Sequence, residues 1–128
     1  MTKFITDASA WIEYLEGTER GRAVIKIIED NNNEIFTASA TVAEVVSKFL
    51  RADKDIKLAL TSINNLSVVV DLSQEISFAA GQIHFEEKKK NKEFGMLDAL
   101  VAATAKKLGA KILARDNDFK HFKEAVLI

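Results

Sequence analysis

Short apolar runs alternate with longer segments of helical periodicity, and this alternation restricts the fold more than any other feature. Five runs are typical of buried strands: Phe4–Thr6, Ile35–Thr37, Val68–Val70, Ile112–Ala114 and Val126–Ile128. Strands that alternate with helices are joined by crossover connections, which make neighbouring strands parallel. The sequence therefore predicts an α/β fold in three layers, with a mainly parallel central sheet of 4–5 strands and helices on both faces.

The segments between these runs carry apolar residues at helical spacing. They lie at Glu19–Asn31, Val42–Leu50, Ile56–Ile63, Ile76–Ile83 and Met96–Leu108. Gly109 follows the last segment directly, as a glycine that ends a helix does. Proline is absent, and no glycine-rich linker or internal repeat divides the chain. We therefore expect a single domain over residues 1–128.

The absence of cysteine excludes several kinds of chemistry. Disulfides, thiolate zinc sites and a cysteine nucleophile are all impossible. Only two histidines, His84 and His121, are present, so a metal site depends mainly on carboxylates, which suit Mg²⁺ or Mn²⁺ better than zinc. The net charge of −1 gives no overall basic field, so a role with nucleic acid must rest on local patches.

No segment is a candidate for membrane insertion or export. No stretch approaches the ~18 apolar residues that span a bilayer, and Met1–Phe4 leads into the first strand without a signal-peptide core. On this basis we expect a cytoplasmic protein that does not engage a membrane.

Acidic residues occupy the positions at which an α/β sheet binds ligands. Asp7 follows the first strand, Asp116 and Asp118 follow the fourth, and Glu44 and Asp98 lie in the first turns of predicted helices. In such a sheet, ligands bind beyond the carboxyl ends of the strands. Carboxylates that converge there raise one another's pKa unless a cation neutralises them. Mg²⁺ or Mn²⁺ with a phosphate substrate is the natural solution.

Each acid also has an ordinary structural explanation. Asp7 and Asp118 stand where side chains cap helices, and the helix dipole favours Asp98 in a first turn. The segment Thr41–Glu44 matches a capping box, and Lys48 offers its glutamate an ion pair. Taken singly, none of these acids distinguishes a cap from a metal ligand.

Four motifs in this order resemble those of the PIN-domain family of metal-dependent ribonucleases. They are Phe4-Ile5-Thr6-Asp7-Ala8-Ser9-Ala10-Trp11, Ala43-Glu44-Val45, Met96-Leu97-Asp98-Ala99-Leu100-Val101-Ala102-Ala103 and Ala114-Arg115-Asp116-Asn117-Asp118-Phe119. The resemblance covers nearly the whole chain, and its length is similar to that of single-domain toxins of VapBC-type toxin–antitoxin pairs. It implies a PIN-like three-layer sandwich and a Mg²⁺- or Mn²⁺-dependent endoribonuclease that hydrolyses RNA phosphodiester bonds.

The resemblance also implies roles for individual residues. The catalytic acids are Asp7, Glu44, Asp98 and Asp116, and the metal contacts come from Asp7, Asp98, Asp116 and Asp118. Ser9 supports the site through its hydroxyl. Ala114 departs from the pattern, because the family often has Thr or Ser at this strand end, and a hydroxyl contact is lost.

A protein antitoxin and a homodimer are further implications of the resemblance to toxins. Exposed apolar side chains of the first helix, Trp11, Tyr14 and Leu15, are candidate contacts, since large aromatic residues are enriched in interface cores. Trp11 fits the core of the monomer equally well.

Basic residues are weaker candidates for contacts with RNA phosphates. Arg51 and Arg115 have the geometry to grip a phosphate with two hydrogen bonds. The lysine run that begins at Lys88 offers point charges to the RNA backbone. Its members are Lys88, Lys89, Lys90 and Lys92. Glutamates flank this run, so a solvated helix end is the more ordinary interpretation.

Two other functions stay open at this point. The first is a catalytically weak PIN-like RNA-binding or assembly module, which only Ala114 favours. The second is a receiver-type domain in which Asp71, after the third strand, accepts a phosphoryl group while Asp7 holds Mg²⁺. The second alternative leaves Glu44, Asp98 and the acids after the fourth strand unexplained.

Overall fold

A computed structural model describes residues 1–128 and shows one five-stranded sheet. The strands are β1 (Thr2–Thr6), β2 (Asn33–Ala38), β3 (Val68–Val70), β4 (Lys111–Ala114) and β5 (Ala125–Leu127). They lie in the order β3-β2-β1-β4-β5, and every neighbouring pair is parallel. The predicted α/β class is confirmed, and the fifth apolar run does form a strand.

Six helices connect and cover the strands. They are α1 (Ala8–Glu16), α2 (Glu19–Ile28), α3 (Ser39–Arg51), α4 (Ile56–Leu66), α5 (Gln74–Lys88) and α6 (Met96–Leu108). The bounds of α6 agree with the prediction, and Gly109 ends it in the left-handed conformation at φ 67°. Helix α2 ends before the predicted Asn31, because the Asp30 side chain accepts a hydrogen bond from the Asn32 N–H and starts a turn.

Two hydrophobic cores lie on opposite faces of the sheet. Successive residues of a strand point to opposite faces, so Phe4 enters one core and Ile5 the other. Helices α5 and α6 close the core of Ile5, and α1 to α4 close the core of Phe4. The predicted three layers are therefore present. None of the helices combines the length and apolarity needed to cross a membrane.

Trp11 belongs to the core of Phe4 and not to an exposed face of α1. Its side chain is fully buried, its indole Nε1–H donates to Thr37 Oγ1 at 3.1 Å, and its ring meets Tyr14 edge to face. Of the two roles left open for Trp11, the place in the monomer core is confirmed and the exposed dimer contact is not, because the buried hydroxyl of Thr37 gives the indole a partner inside the protein. Tyr14 and Leu15 remain partly exposed.

Candidate metal and catalytic site

Three carboxylates meet beyond the carboxyl ends of β1 and β4. Asp98, in the first turn of α6, and Asp116 and Asp118, after β4, each offer an oxygen within 4.8 Å of the other two. Asp7 and Glu44 lie outside this close group, but their charges still influence the pKa values of its members or are influenced by them. We call the five residues the acidic cluster. They reach it from four segments that are distant in sequence.

Asp7 is buried at the end of β1, where it caps α1. Its Oδ2 accepts hydrogen bonds from the Ser9 N–H at 3.2 Å and from the Ser9 hydroxyl at 2.6 Å. Burial raises the pKa of Asp7, the hydrogen bonds from Ser9 lower it, and repulsion by Asp116 raises it further. Capping and membership of the acidic cluster are therefore compatible for this residue.

Ser9 ties the two strand ends together. While its hydroxyl donates to Asp7, the same oxygen accepts from the backbone N–H groups of Arg115, at 3.0 Å, and Asp116, at 3.3 Å. One hydroxyl thus fixes the β1–α1 turn against the segment after β4. Ala114 itself is buried in the core of α5 and α6.

Hydrogen bonds hold the side chains of Asp116 and Asp118. Asp116 Oδ1 accepts from the Asp118 N–H at 2.9 Å, which starts the 3₁₀ turn Asn117–Phe119. Asn91 Nδ2 donates to Asp118 Oδ1 at 3.0 Å. Sequence reasoning missed Asn91, since it stands within the lysine run and only the fold brings it to the acids. The predicted cap is made by Asp116 and not by Asp118.

Asp98 supports the start of α6 and carries a carboxyl group whose pKa is raised. Its Oδ2 accepts from the Gly95 N–H at 2.9 Å, so it supports the start of α6 as an ordinary first-turn acid does. Partial burial nevertheless raises its pKa to about 7, with repulsion from Asp7, Asp118 and Asp116 in support and the Gly95 hydrogen bond in opposition.

Glu44 faces the acidic cluster from the middle of α3. The capping box expected for Thr41–Glu44 does not form, because α3 begins earlier, at Ser39, and the Thr41 hydroxyl is buried without a partner. Burial raises the pKa of Glu44, as does repulsion by Asp7 and Asp116, while Lys48 lowers it. Lys48 nevertheless forms no salt bridge with Glu44.

The fold places the remaining sequence candidates, Arg115, Arg51 and Asp71, in three different regions. Arg115 adjoins the acidic cluster in sequence and pairs its Nε with Glu13 Oε1 at 3.5 Å. Arg51, near the far end of α3, is exposed and donates from Nε to the Ser47 carbonyl. Asp71 follows the edge strand β3, which β2 separates from β1, and is also exposed. The structure does not bring Asp71 to the acidic cluster.

The lysine run forms a solvated helix end. Lys88, Lys89 and Lys90 are exposed, and Lys89 and Lys90 pair with Glu86 and Glu87 one turn earlier. Lys88 donates to the Lys92 carbonyl. The i,i+3 pairs give the run a structural role at the end of α5, as its flanking glutamates suggested.

The chemistry of the acidic cluster fits a hard divalent cation. Three carboxylates meet there and those of Asp7 and Glu44 lie outside the close group, and no lysine, arginine or histidine lies within salt-bridge distance of any of the five. Burial, with repulsion between the acids in support, raises the pKa values of Asp7, Glu44 and Asp98, and a bound cation would favour their charged forms. Oxygen ligands of this kind are the ones that Mg²⁺ and Mn²⁺ prefer.

Replacing Ser9 with Ala tests the tie between the strand ends. The change removes a donor to Asp7 and the acceptor of two backbone N–H groups, so we expect unfolding to cost about 1–2 kcal/mol less. Denaturant titration measures this loss. Ser77→Ala is the matched control, since the exposed Ser77 hydroxyl donates only to the Ser73 carbonyl in its own helix. Equal stability of the two variants contradicts the proposed tie.

Comparison with known proteins identifies relatives of this fold. A family model described as PIN domain matches residues 4–125. Comparison with curated proteins gives no match.

Solved structures resemble the chain over almost its full length. One is VapBC2 from Rickettsia felis, bound to a DNA fragment from its promoter, with a TM-score of 0.77 and 18% sequence identity. The match covers 99% of this chain and 98% of the Rickettsia felis chain. VapC20 from Mycobacterium tuberculosis, a sarcin-ricin loop cleaving toxin, has a TM-score of 0.75 at 17% identity, with 98% of each chain covered. DNA-bound VapBC from Salmonella typhimurium has a TM-score of 0.71 at 19% identity, covering 100% of this chain and 98% of its own.

Proposed function

The chain belongs to the PIN-domain family, and on that premise we propose that it is a Mg²⁺- or Mn²⁺-dependent endoribonuclease, the toxin of a toxin–antitoxin pair. The observation that carries the proposal is the close approach of the carboxylates of Asp98, Asp116 and Asp118, within 4.8 Å of one another. The repelling charges of Asp7 and Glu44 beside them add to the need for a cation.

Asp98, Asp116 and Asp118 would hold the ion, with Asp7 beside them. When bound, the ion neutralises charge on the scissile phosphate and lowers the pKa of water. Asn91 orients Asp118, and Ser9 orients Asp7. These hydrogen bonds hold the carboxylates in place before RNA arrives.

Glu44 is suited to accept the proton of the attacking water. It lies outside the group of three carboxylates, and its raised pKa makes it a stronger base than an ordinary glutamate. Water adds to phosphorus as its proton passes to Glu44, the bond to the 3′ oxygen breaks, and the leaving oxygen takes up a proton from solvent water. The products then carry 5′-phosphate and 3′-hydroxyl ends.

RNA cleavage with Mg²⁺, Mn²⁺ or EDTA tests the proposed activity. Single-stranded RNA is expected to be cut with either ion and to stay intact in EDTA. Cleavage that persists in EDTA contradicts the mechanism. RNA that binds in Mg²⁺ but is never cut supports the alternative of a catalytically weak RNA-binding or assembly module.

The protein partner in this proposal is an antitoxin that covers the acidic cluster. A cluster of five carboxylates is a natural partner for a basic side chain such as arginine, which binds carboxylates with two hydrogen bonds. The solved relatives that contain toxin–antitoxin complexes support the same assignment. A neighbouring gene for a small protein with a DNA-binding N-terminus and an amphipathic C-terminal segment would identify the candidate. We further propose that the toxin acts on its RNA substrate in the cytoplasm.

We also propose a homodimer, with Tyr14 and Leu15 of α1 as candidate contacts. Both side chains are partly exposed, whereas Trp11 beside them is fully committed to the core. Light scattering at micromolar concentration is expected to give twice 14.2 kDa. A mass of 14.2 kDa across the same concentrations contradicts the dimer.

A further inference from the structure

A groove of about 560 Å³ adjoins the acidic cluster and carries the opposite charge. It shares Ser9 and Asp116 with that site, and its other charged lining residues are Arg20, Lys48 and Arg115. We call it the basic groove. Two environments of opposite charge therefore lie side by side.

The three cations come from separate parts of the chain. Arg20 lies in the first turn of α2, Lys48 in the last turn of α3, and Arg115 directly after β4. They are 28 and 67 residues apart, as their numbers show, so no run of basic residues announces the basic groove in the sequence. The net charge of −1 conceals it as well.

These cations are available to an anion. Arg20 and Lys48 form no salt bridge within the protein. Arg115 uses its Nε to pair with Glu13, whose other oxygen accepts a hydrogen bond from the Thr18 hydroxyl at 2.7 Å. Glu13 therefore fixes the guanidinium while leaving its two terminal amino groups free.

We propose that the basic groove is a phosphate-binding subsite for the RNA backbone, which holds the nucleotide next to the scissile bond. The inference rests on the proposed nuclease function and adds the residues that position its substrate. Two cations without a salt-bridge partner, Arg20 and Lys48, and the terminal amino groups of Arg115 can neutralise a phosphate without reading its base. The subsite therefore contributes affinity and register, and it leaves base selection to other contacts.

RNA binding in EDTA tests the subsite independently of cleavage. Fluorescence anisotropy with a labelled single-stranded RNA is measured from 50 to 200 mM salt for Arg20→Ala, Lys48→Ala, Arg115→Ala and the triple variant. We expect the triple variant to bind about tenfold more weakly or worse, and the dependence of log affinity on log salt to fall by about 0.7 for each lost phosphate contact.

Arg22→Ala is the matched control, because Arg22 is an exposed arginine of the same helix as Arg20 that does not line the basic groove. Thermal melts confirm that each variant is folded. An affinity and a salt slope of the triple variant equal to those of Arg22→Ala overturn the subsite. The subsite is also overturned if the triple variant loses binding to a hexaglutamate peptide but still binds RNA. That result assigns the basic groove to an acidic protein segment.

Cleavage in Mg²⁺ separates this inference from the proposed function. The triple variant is expected to show a raised KM for RNA, with kcat changed less, since the three cations bind substrate and do not touch the metal ligands. If RNA is not cut but its binding still depends on the three cations, the nuclease function is refuted and the phosphate-binding subsite stands. Metal-dependent cleavage with an unchanged KM in the triple variant refutes the subsite and keeps the nuclease.

Discussion

Asp98→Asn and Asp116→Asn are each expected to lower Mg²⁺-dependent RNA cleavage by about a hundredfold or more, because each removes one charged ligand from the acidic cluster. Asparagine keeps the size of the side chain and an oxygen that accepts hydrogen bonds. The Gly95 N–H, bound by Asp98, and the Asp118 N–H, bound by Asp116, therefore keep an acceptor. The fold should survive while Mg²⁺ affinity and cleavage fall together.

A purely structural role for these acids makes the opposite prediction. If Asp98 and Asp116 only cap their helices, the Asn variants lose a little stability and show no effect specific to metal or RNA. Asp55→Asn is the matched control, since Asp55 caps α4 by accepting from the Lys57 N–H at 2.8 Å and is exposed. Cleavage rates in Mg²⁺, Mn²⁺ and EDTA, with melts in parallel, decide the question. Wild-type metal dependence in both variants defeats the metal site.

The strands were predictable because burial on both faces gives a parallel strand a short, continuous apolar run. Val68–Val70 forms a strand with the predicted bounds, and β1, β2 and β4 extend their runs by one to three residues. The order of the strands was not predicted, since the runs do not state which neighbours pair. The topology instead places β1 and β4 side by side, and this pairing brings Asp7 and Asp116 to one edge of the sheet.

The acids of the candidate site were recognisable by the order of their four motifs along the chain, although each acid taken singly has an ordinary structural explanation. The resemblance named Ser9 as a supporting hydroxyl, but it gave neither the backbone partners of that hydroxyl nor Asn91. The hydroxyl of Ser9 bridges 107 residues to Asp116, and Asn91 reaches Asp118 across 27. Such contacts depend on how loops meet in space, and no local pattern encodes them. Glu44 was misread locally for a related reason, because the α3 start at Ser39 overrides the capping-box pattern that begins at Thr41.

The stability of the metal-free protein is expected to depend on pH through Asp98. The folded state raises the pKa of Asp98 from 3.8 to about 7. Below pH 3.8 the carboxyl group is protonated in both the folded and the unfolded state, so its stabilising contribution is fully present. As the pH rises from 3.8 to about 7, this contribution is lost and the free energy of unfolding falls. Over that interval the unfolded chain releases the proton freely, whereas the folded chain must retain it or tolerate a repelled charge.

Asp98→Asn removes this penalty, so in EDTA its advantage in unfolding free energy over wild type should grow from pH 4 to pH 7 and then level off. We expect a gain of about 2 kcal/mol, because each pKa unit corresponds to about 1.4 kcal/mol and solvent screens a partly exposed group. Urea titrations at several pH values measure it. Saturating Mg²⁺ at pH 7.5 should cancel or reverse the advantage by stabilising wild type more strongly than the variant. If the difference in unfolding free energy between the two proteins stays constant from pH 4 to pH 8, the raised pKa of Asp98 is not the cause of the pH dependence.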